Sequence, residues 1–467
     1  METPDFKVIQ IPTPFISQYS YLICSGGEAA IIDPTRQVDL YPPLLSKEGL
    51  KLKYIALTHT HADFVATPAA VSRTCGGRIV AATCSPYDGD FDRVNDNTEL
   101  QIGKVRLQCL ETPGHTPDSL SFLLRDASGK AVCIFTGDTL FVGEVGRPDL
   151  AAGAGGPAAA AAALRASLRK IGAFEDDVFV FPGHGAGSAC GRRIEPGSST
   201  TIGQQRKHNF AFSEASDEEF VRWVTSDLPT PPRRFFHDAR LNKVDSTPEA
   251  STIVRESRRP IDAATFGWLA SNRGVTVIDT RRLDVFEKGF IRRSICVPLE
   301  GSFDFLASTF LPPEPPILLV SEPGTEEEVI LRLALLGYDN VLGYLDGGIK
   351  AWPGQLFTVP SVEAANVHHE LETPGIHLID LRGKHEKEAE VENCLKIPAA
   401  ELKDSLYKLN RKEKYLAMCQ TGPRAVNAAE ILNSNGFNAK FVRGGFQQVA
   451  TNANLANKII KLVKKCL

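Results

Sequence analysis

The chain has 467 residues, too many for one hydrophobic core, so two to four domains are expected. Its 43% apolar and 23% charged residues are the balance of a globular protein, and a formal net charge of −4 with pI near 6.2 speaks against nucleic-acid or anionic-membrane partners. No apolar run approaches the length that spans a bilayer.

From Met1 to Phe15 the chain carries early acids, Glu2 and Asp5, and no apolar leader core, and its ten cysteines lack C-x-x-C or framework spacing. A reducing, cytoplasmic location is therefore expected. Lys7–Ile11, Tyr21–Cys24 and Ala29–Asp33 are short apolar runs between Pro/Gly turns, as in a β-rich start. Tyr54–Leu57 reads as a buried strand that runs into Thr-His-Thr-His-Ala-Asp-Phe at 58–64. His59 and His61 stand just past the strand end, and Asp63 adds a hard carboxylate, so three side chains can converge on a metal. Two exposed loop histidines are the competing reading of so short a motif.

Three more strand-then-ligand units follow. Val105–Glu111 runs into a loop carrying His115, Ala131–Phe135 into Thr-Gly-Asp-Thr with Asp138, and Val178–Phe181 into Pro-Gly-His-Gly with His184. Ligand-type residues at four strand ends favour the metal reading. The Ala/Gly-rich stretch Ala151–Ala163 is expected to be a loop leading into a surface helix through Leu164–Ile171. Past Leu228 comes Pro-Thr-Pro-Pro-Arg-Arg, a rigid connector, and polarity rises from Asn242 to Pro260.

The rest of the chain repeats itself. Val275–Asp279 matches Ile376–Asp380, Ile317–Val320 matches Tyr415–Met418, and Asp-Gly-Gly (346–348) matches Arg-Gly-Gly (443–445). Strands alternating with helical patterns mean α/β units with a parallel sheet, in two tandem copies. The expected division is 1–245 for the metal domain, 246–260 for a linker, and 261–357 and 361–460 for the two copies.

The N-terminal pattern resembles the metallo-β-lactamase superfamily. The repeated half resembles rhodanese domains, with Cys-Gln-Thr-Gly-Pro-Arg-Ala (419–425) matching their C-x-x-G-x-R loop. Together they resemble persulfide dioxygenase–rhodanese fusions, to which Gly-Arg-Pro-Asp (146–149), His-Gly-Ala-Gly-Ser-Ala-Cys-Gly (184–191) and Ser-Thr-Thr-Ile-Gly (199–203) are also similar. The resemblance implies an αββα metal domain followed by two α/β domains, one iron(II), oxygen chemistry on a glutathione persulfide and a sulfurtransferase partner domain. It also implies His59, His115 and Asp138 as the ligands.

Hydrolytic members of that superfamily hold two metals with H-x-H-x-D-H, but here the last position is Phe64, which cannot ligate. Asp63 and His184 alone make a poor second site, so one metal is favoured. A set of His59, His115 and Asp138 is a two-His, one-carboxylate triad that leaves positions open for a thiolate and dioxygen. Histidine and carboxylate accept zinc as well as iron. His61 is either a ligand or an orienting group; for Asp63 and His184 an outer, structural place is weighed against ligation, and preferred for Asp63. Arg147 could clamp a glutathione carboxylate, the contact the resemblance implies, or pair with Asp149. Cys190, six residues past His184, is read as a persulfide carrier rather than a small residue in a tight loop. Cys24, Cys75, Cys84, Cys109, Cys133, Cys296, Cys394 and Cys466 read as core or incidental thiols.

In the second copy Cys419 opens a loop whose backbone N–H groups can stabilise a thiolate and then a persulfide. Gly422 permits the turn and Arg424 adds positive charge. In the first copy the aligned loop, Ser-Glu-Pro-Gly-Thr-Glu (321–326), has Ser321 for Cys and Glu326 for Arg, so that copy is expected to be silent. The expected function is oxidation of a low-molecular-weight persulfide to thiol and sulfite, coupled to sulfane-sulfur transfer that forms or uses thiosulfate. A glyoxalase II-like zinc hydrolase of glutathione thioesters is the alternative, with a non-enzymatic sulfur carrier third. A homo-oligomer is compatible with all three.

Overall fold

The computed structural model describes every residue except 151–154, 229, 384–385, 387–388, 392, 452–459 and 463–467, so Cys466 lies outside the described residues. The chain divides into two compact units, Met1–Ile253 with Ala334–Gly337, and Val254–Leu333 with Tyr338–Leu467.

In the first unit β1 (Lys7–Thr13), β2 (Gln18–Ser25), β3 (Glu28–Ile32), β4 (Lys51–Ala56), β5 (Arg78–Ala82) and β6 (Asp92–Val94) form one sheet in chain order. A second sheet holds β7 (Glu99–Ile102), β8 (Val105–Glu111), β9 (Leu120–Arg125), β10 (Ala131–Gly137), β11 (Phe179–Pro182) and β12 (Thr200–Thr201), again in order. Six of the ten neighbouring pairs in these two sheets are antiparallel. The pairs β3/β4, β4/β5, β5/β6 and β10/β11 are parallel, so each needs a crossover. For β10 to β11 the crossover contains the helix Gly156–Ile171.

The alternating apolar residues of these strands explain the layers. Tyr21, Ile23 and Ile32 of the first sheet meet Leu107, Phe122 and Phe135 of the second in one buried core. The outer face of the first sheet packs Ile31 and Ile55 on Leu45 and Val71 of two helices, Tyr41–Lys47 and Pro68–Cys75. On the outer face of the second, Leu123, Ile134 and Val180 are covered by Leu164 and Leu168 of the helix Gly156–Ile171 and Phe220 of the helix Asp217–Thr225. The result is an αββα sandwich.

The second unit holds two all-parallel sheets. In the first copy β13 (Pro260–Ile261), β14 (Thr276–Asp279), β15 (Ile295–Cys296), β16 (Ile317–Val320) and β17 (Val341–Leu345) lie in the order β13-β17-β16-β14-β15. In the second copy β18 (Ser361–Glu363), β19 (Ile376–Asp380), β20 (Ala389–Val391), β21 (Cys394–Lys396), β22 (Lys414–Met418), β23 (Asn438–Arg443) and β24 (Ile460–Leu462) are found, with the main sheet ordered β18-β23-β22-β19-β21. The two orders are the same topology. Residues 246–260, read above as a linker, contain the helix Ala250–Ser257, which buries Ala250, Ile253 and Ser257 at helical spacing. Among the described residues no helix is long and apolar enough to cross a membrane.

One remote segment fixes the loop after β4. Just past the helix Arg234–Leu241, Asn242 donates from Nδ2 to the carbonyls of His61 (2.8 Å) and Phe64 (2.7 Å), and its Oδ1 accepts the Ala66 N–H at 2.8 Å. Arg234 Nη1 adds a bond to the Asp63 carbonyl at 2.6 Å. These bonds substitute for the ladder partners that a loop leaving a sheet has lost. Asn242→Ala removes three of them, and we expect a loss of about 2 kcal/mol, read as a melting temperature lower by about 4–8 °C in thermal circular dichroism. An unchanged melting temperature would show that the latch carries no stability.

Candidate metal centre and cysteine loop

Five strand ends meet at one edge of the sandwich. Asp33 follows β3 and accepts from both Thr58 N–H and Thr58 Oγ1, each at 2.7 Å. Since the single Thr58 hydroxyl proton goes to Asp33, its oxygen accepts from His59 Nδ1, 2.9 Å away. That fixes the proton on Nδ1 and leaves the His59 Nε2 lone pair bare. His115 is set the same way, with Nδ1 donating to the Arg147 carbonyl at 3.0 Å. The two Nε2 atoms lie 3.8 Å and 3.5 Å from Asp138 Oδ2. Its other oxygen, Oδ1, is 2.7 Å from His184 Nδ1.

His59, His115 and Asp138 thus present three donor atoms within 4.8 Å of one another, all buried. His59 Nε2 and Asp138 Oδ2 are buried without a hydrogen-bond partner. Such orphaned atoms are costly unless a cation completes them, and these fit one. Burial, with His61 beside it, holds His59 well below the usual histidine range, and burial also lowers His115, so both are neutral, ligand-competent imidazoles.

Around this group stands a charged shell. His184 Nε2 lies 2.7 Å from Asp63 Oδ2, so its two ring nitrogens face two carboxylates. Burial opposes its charge, but Asp138 and Asp63 outweigh burial and hold His184 well above the usual range, as an imidazolium. His61 Nε2 is 3.4 Å from Asp33 Oδ1, and its ring packs on His59 and Phe64. Asp63, His184 and Cys190 form a second buried three-donor group, which the sequence reading lacked because it counted Asp63 and His184 alone.

The structure bears on two of the side chains singled out in the sequence, and for Arg147 it shows the Asp149 pair of the two alternatives. Arg147 is 1% exposed, and its fork is engaged by both oxygens of Asp149 at 2.8 and 2.7 Å, so its guanidinium is closed to a substrate carboxylate. Its contribution to the site is its carbonyl, which holds His115. Cys190 is buried, and burial with Asp63 and Asp138 nearby pushes its thiol well above the usual range. A neutral, covered thiol is a poor persulfide carrier.

A cavity of about 440 Å³ opens onto His115, with walls that include Leu150, Phe235, Phe236, Arg240 and Lys243. The helix Arg234–Leu241, which lends Phe235, Phe236, Ala239 and Arg240 to this wall, went without a role in the sequence reading, as did Asp33. For Asp33 the signal was present: the apolar run Ala29–Ile32 ends on it, as the other runs end on ligands. Cys84, read as incidental, is exposed on the same wall.

In the second unit β22 delivers Cys419, whose Sγ accepts the Gly422 N–H at 3.1 Å. Gly422 has φ +124°, a left-handed conformation that favours glycine, and opens the helix Pro423–Ser434. Arg424 is not a bare charge: Nη1 and Nη2 bind Glu386 at 2.7 and 2.6 Å, a partner not foreseen from the loop motif. Its guanidinium stacks 5.1 Å from the Phe305 ring of the first copy. Cys419 lines a cavity of about 730 Å³ whose opposite wall is the first copy's 282–306 region. At the equivalent place in that copy Ser321 is buried and accepts from Thr280 Oγ1 at 3.1 Å.

Comparison with known proteins agrees with this architecture. The Metallo-beta-lactamase superfamily pattern matches residues 13–82 and 85–184, and the Rhodanese-like domain pattern matches 265–355 and 363–452. A crystal structure of a metallo-beta-lactamase from Staphylococcus aureus subsp. aureus COL superposes with TM-score 0.65 at 29% identity, covering 74% of this chain and 99% of that one. The mitochondrial persulfide dioxygenase ETHE1 of Bos taurus is 29% identical over 228 residues, 48% of this chain and 82% of its own. A hydroxyacylglutathione hydrolase of Chromohalobacter salexigens is 32% identical over 181 residues, 38% of this chain and 65% of its own. The chain therefore joins a metallo-beta-lactamase superfamily domain, with a His/Asp metal-binding site, to two rhodanese-like domains in one polypeptide.

Proposed function

We propose that the chain oxidises a glutathione-type persulfide with dioxygen at one iron and moves sulfane sulfur at Cys419. The observation that carries the first half is the orphaned pair His59 Nε2 and Asp138 Oδ2 grouped with His115, which itself lines a cavity. Two neutral imidazoles and one carboxylate leave part of a cation's coordination open, as oxygen chemistry requires. Iron(II) held there would supply a site for the persulfide sulfur and electrons for dioxygen. In balance, R–S–SH, O2 and water give R–SH, sulfite and two protons: the terminal sulfur is oxidised and dioxygen is the oxidant.

The chain's own residues do the rest. Thr58 and the Arg147 carbonyl hold the two imidazoles with their lone pairs forward, and His184 keeps one Asp138 oxygen turned away. Phe235, Phe236 and Leu150 keep the cavity apolar, and Arg240 and Lys243 take the carboxylates of the carrier tail in place of Arg147. The fused rhodanese-like domain supports the second half, since Gly422 already donates to Cys419 Sγ as it would to a thiolate.

A hydrolase of glutathione thioesters remains the second reading, favoured by the relative of that name and by the Asp63–His184–Cys190 donor group. Against it, His184 already faces two carboxylates and Phe64 fills a ligand position.

Oxygen consumption with glutathione persulfide should track iron content in anaerobically prepared protein; thioester hydrolysis by a zinc form, without oxygen uptake, would establish the hydrolase instead. His115→Ala should lower metal retention more than about 100-fold and abolish uptake with it; retained metal would mean another ligand set. Cys419→Ser should remove thiosulfate:cyanide transferase activity while oxygen uptake persists. Arg240→Ala and Lys243→Ala should each raise KM for the persulfide about three- to fivefold with kcat nearly unchanged; an unchanged KM would place the tail elsewhere.

A further inference from the structure

The first rhodanese-like copy has Ser321 where the second has Cys419, and its strand β15 is the last of its sheet. A strand in that place leaves backbone N–H and C=O groups without a ladder partner. At Cys296, fully buried on that edge, both groups are taken by one side chain of the second copy. Asn427 Oδ1 accepts the Cys296 N–H at 2.7 Å, and Asn427 Nδ2 donates to the Cys296 carbonyl at 2.8 Å. The amide stands in for a neighbouring strand, and is itself 2% exposed.

Asn427 belongs to the helix Pro423–Ser434, which begins just past the Gly422 N–H that meets Cys419 Sγ. Nearly one turn earlier the Arg424 guanidinium lies 5.1 Å from the Phe305 ring of the first copy. Nearly one turn later Glu430 Oε1 accepts the Arg293 N–H of that copy at 3.2 Å. Residues 424, 427 and 430 share one face of the helix, and that face lies on the first copy. The loop is touched too, since a Cβ on Gly422 would sit 3.1 Å from Leu283 Cδ2. Another face of the same helix carries a matching device. Asn433 bonds the N–H and the carbonyl of Ala439 at 2.8 and 3.0 Å, within its own copy. One asparagine ties the helix to β23, the other to the first copy.

We propose that Asn427 is a positioning residue for the Cys419 reaction, through which the first copy holds the helix start, and with it the Gly422 N–H, against the sulfur. This rests on reading Cys419 as the sulfane-sulfur carrier. In the step it serves, the Cys419 thiolate attacks the terminal sulfur of R–S–SH. The bond between the two donor sulfurs breaks, R–S⁻ leaves and takes up a proton, and Cys419 is left as a persulfide. Cys–SH and R–S–SH become Cys–S–SH and R–SH, with no outside oxidant or reductant. A donor N–H fixed in advance stabilises the anionic sulfur without reorganising during the step. A misplacement of about 1 Å in such a group costs on the order of 100-fold in rate. The first copy therefore contributes rigidity rather than a reacting group.

The test is the anaerobic loading of Cys419 in the full-length protein by glutathione persulfide, followed by mass spectrometry as the gain of one sulfur. The quantity read is the first-order rate constant of the fraction that loads, which does not depend on how much of the protein is folded. Asn427→Ala should lower its maximal value about tenfold, with the persulfide concentration for half-saturation nearly unchanged. Asn433→Ala, which removes the matching pair of bonds from the same helix, should leave the constant within about twofold of wild type. Glu430→Ala, a milder change on the face that meets the first copy, should lower it about threefold, and decides the matter if Asn427→Ala does not fold. Unchanged constants in Asn427→Ala and Glu430→Ala would leave Asn427 as a closure of the sheet edge and overturn the proposal. So would an equal fall in Asn433→Ala, which would show a general demand for helix stability. No loading in the wild type would remove the carrier reading itself, and this inference with it.

Discussion

The metal centre depends on two strand ends approaching more closely than side chains normally permit. The Gly183 N–H donates to the Gly137 carbonyl at 2.8 Å where β11 runs beside β10. A Cβ on Gly183 would sit 2.6 Å from Asp138 Oδ1, and one on Gly137, where φ is +49°, would meet Thr58 Oγ1 at 2.6 Å. Because both are glycines, His184 and Asp138 face each other at hydrogen-bond distance and Thr58 reaches His59. The charge balance follows from that geometry. Asp33, Asp63 and Asp138 bring three buried carboxylates, and the His184 imidazolium returns one positive charge. His61, raised by Asp33 against burial, offsets part of the rest when protonated. The remaining negative charge, in a site with almost no solvent, is what a divalent cation neutralises.

The parts of this that could be read in the sequence are those written locally. His59, His115, Asp138 and His184 each follow a short apolar run that the structure makes a strand, and a strand end in a sandwich has one direction to go. Convergence of the four was therefore legible before any coordinates. So was the topology of the repeated half, since β14 and β19, and β16 and β22, carry the same apolar pattern. What was not legible is what each polar side chain meets. Arg147 and Asp149 are two residues apart, yet whether that pair closes on itself or opens to a ligand is set by burial, a tertiary property. The Asn242 latch and the Glu386 partner of Arg424 join positions far apart in the chain, with no periodic signal to link them.

The two rhodanese-like copies differ at the cysteine position but share the buried pairs that hold the fold. Each retains a buried pair from its strand-end aspartate to an arginine two residues on: Arg281 Nε on Asp279 at 2.8 Å, and Arg382 Nε on Asp380 at 3.0 Å. Each arginine also binds a further backbone carbonyl, of Gly289 and of Ala389. Removing one member of such a pair strands a buried charge, at a cost of about 3–5 kcal/mol, whether or not the domain catalyses anything. Selection on folding alone is enough to keep it.

The helix that follows the loop tells the opposite story. In the second copy its first turn holds no acidic residue, and the Gly422 N–H at its start donates to Cys419 Sγ at 3.1 Å. An acid at that end would stabilise the helix by about 0.3–1 kcal/mol but would compete with the sulfur anion for the same positive field. In the first copy, where Ser321 stands at the place of Cys419, Glu326, Glu327 and Glu328 occupy that turn. The first copy thus has the helix-stabilising acids that the second, with Cys419 at the same place, goes without.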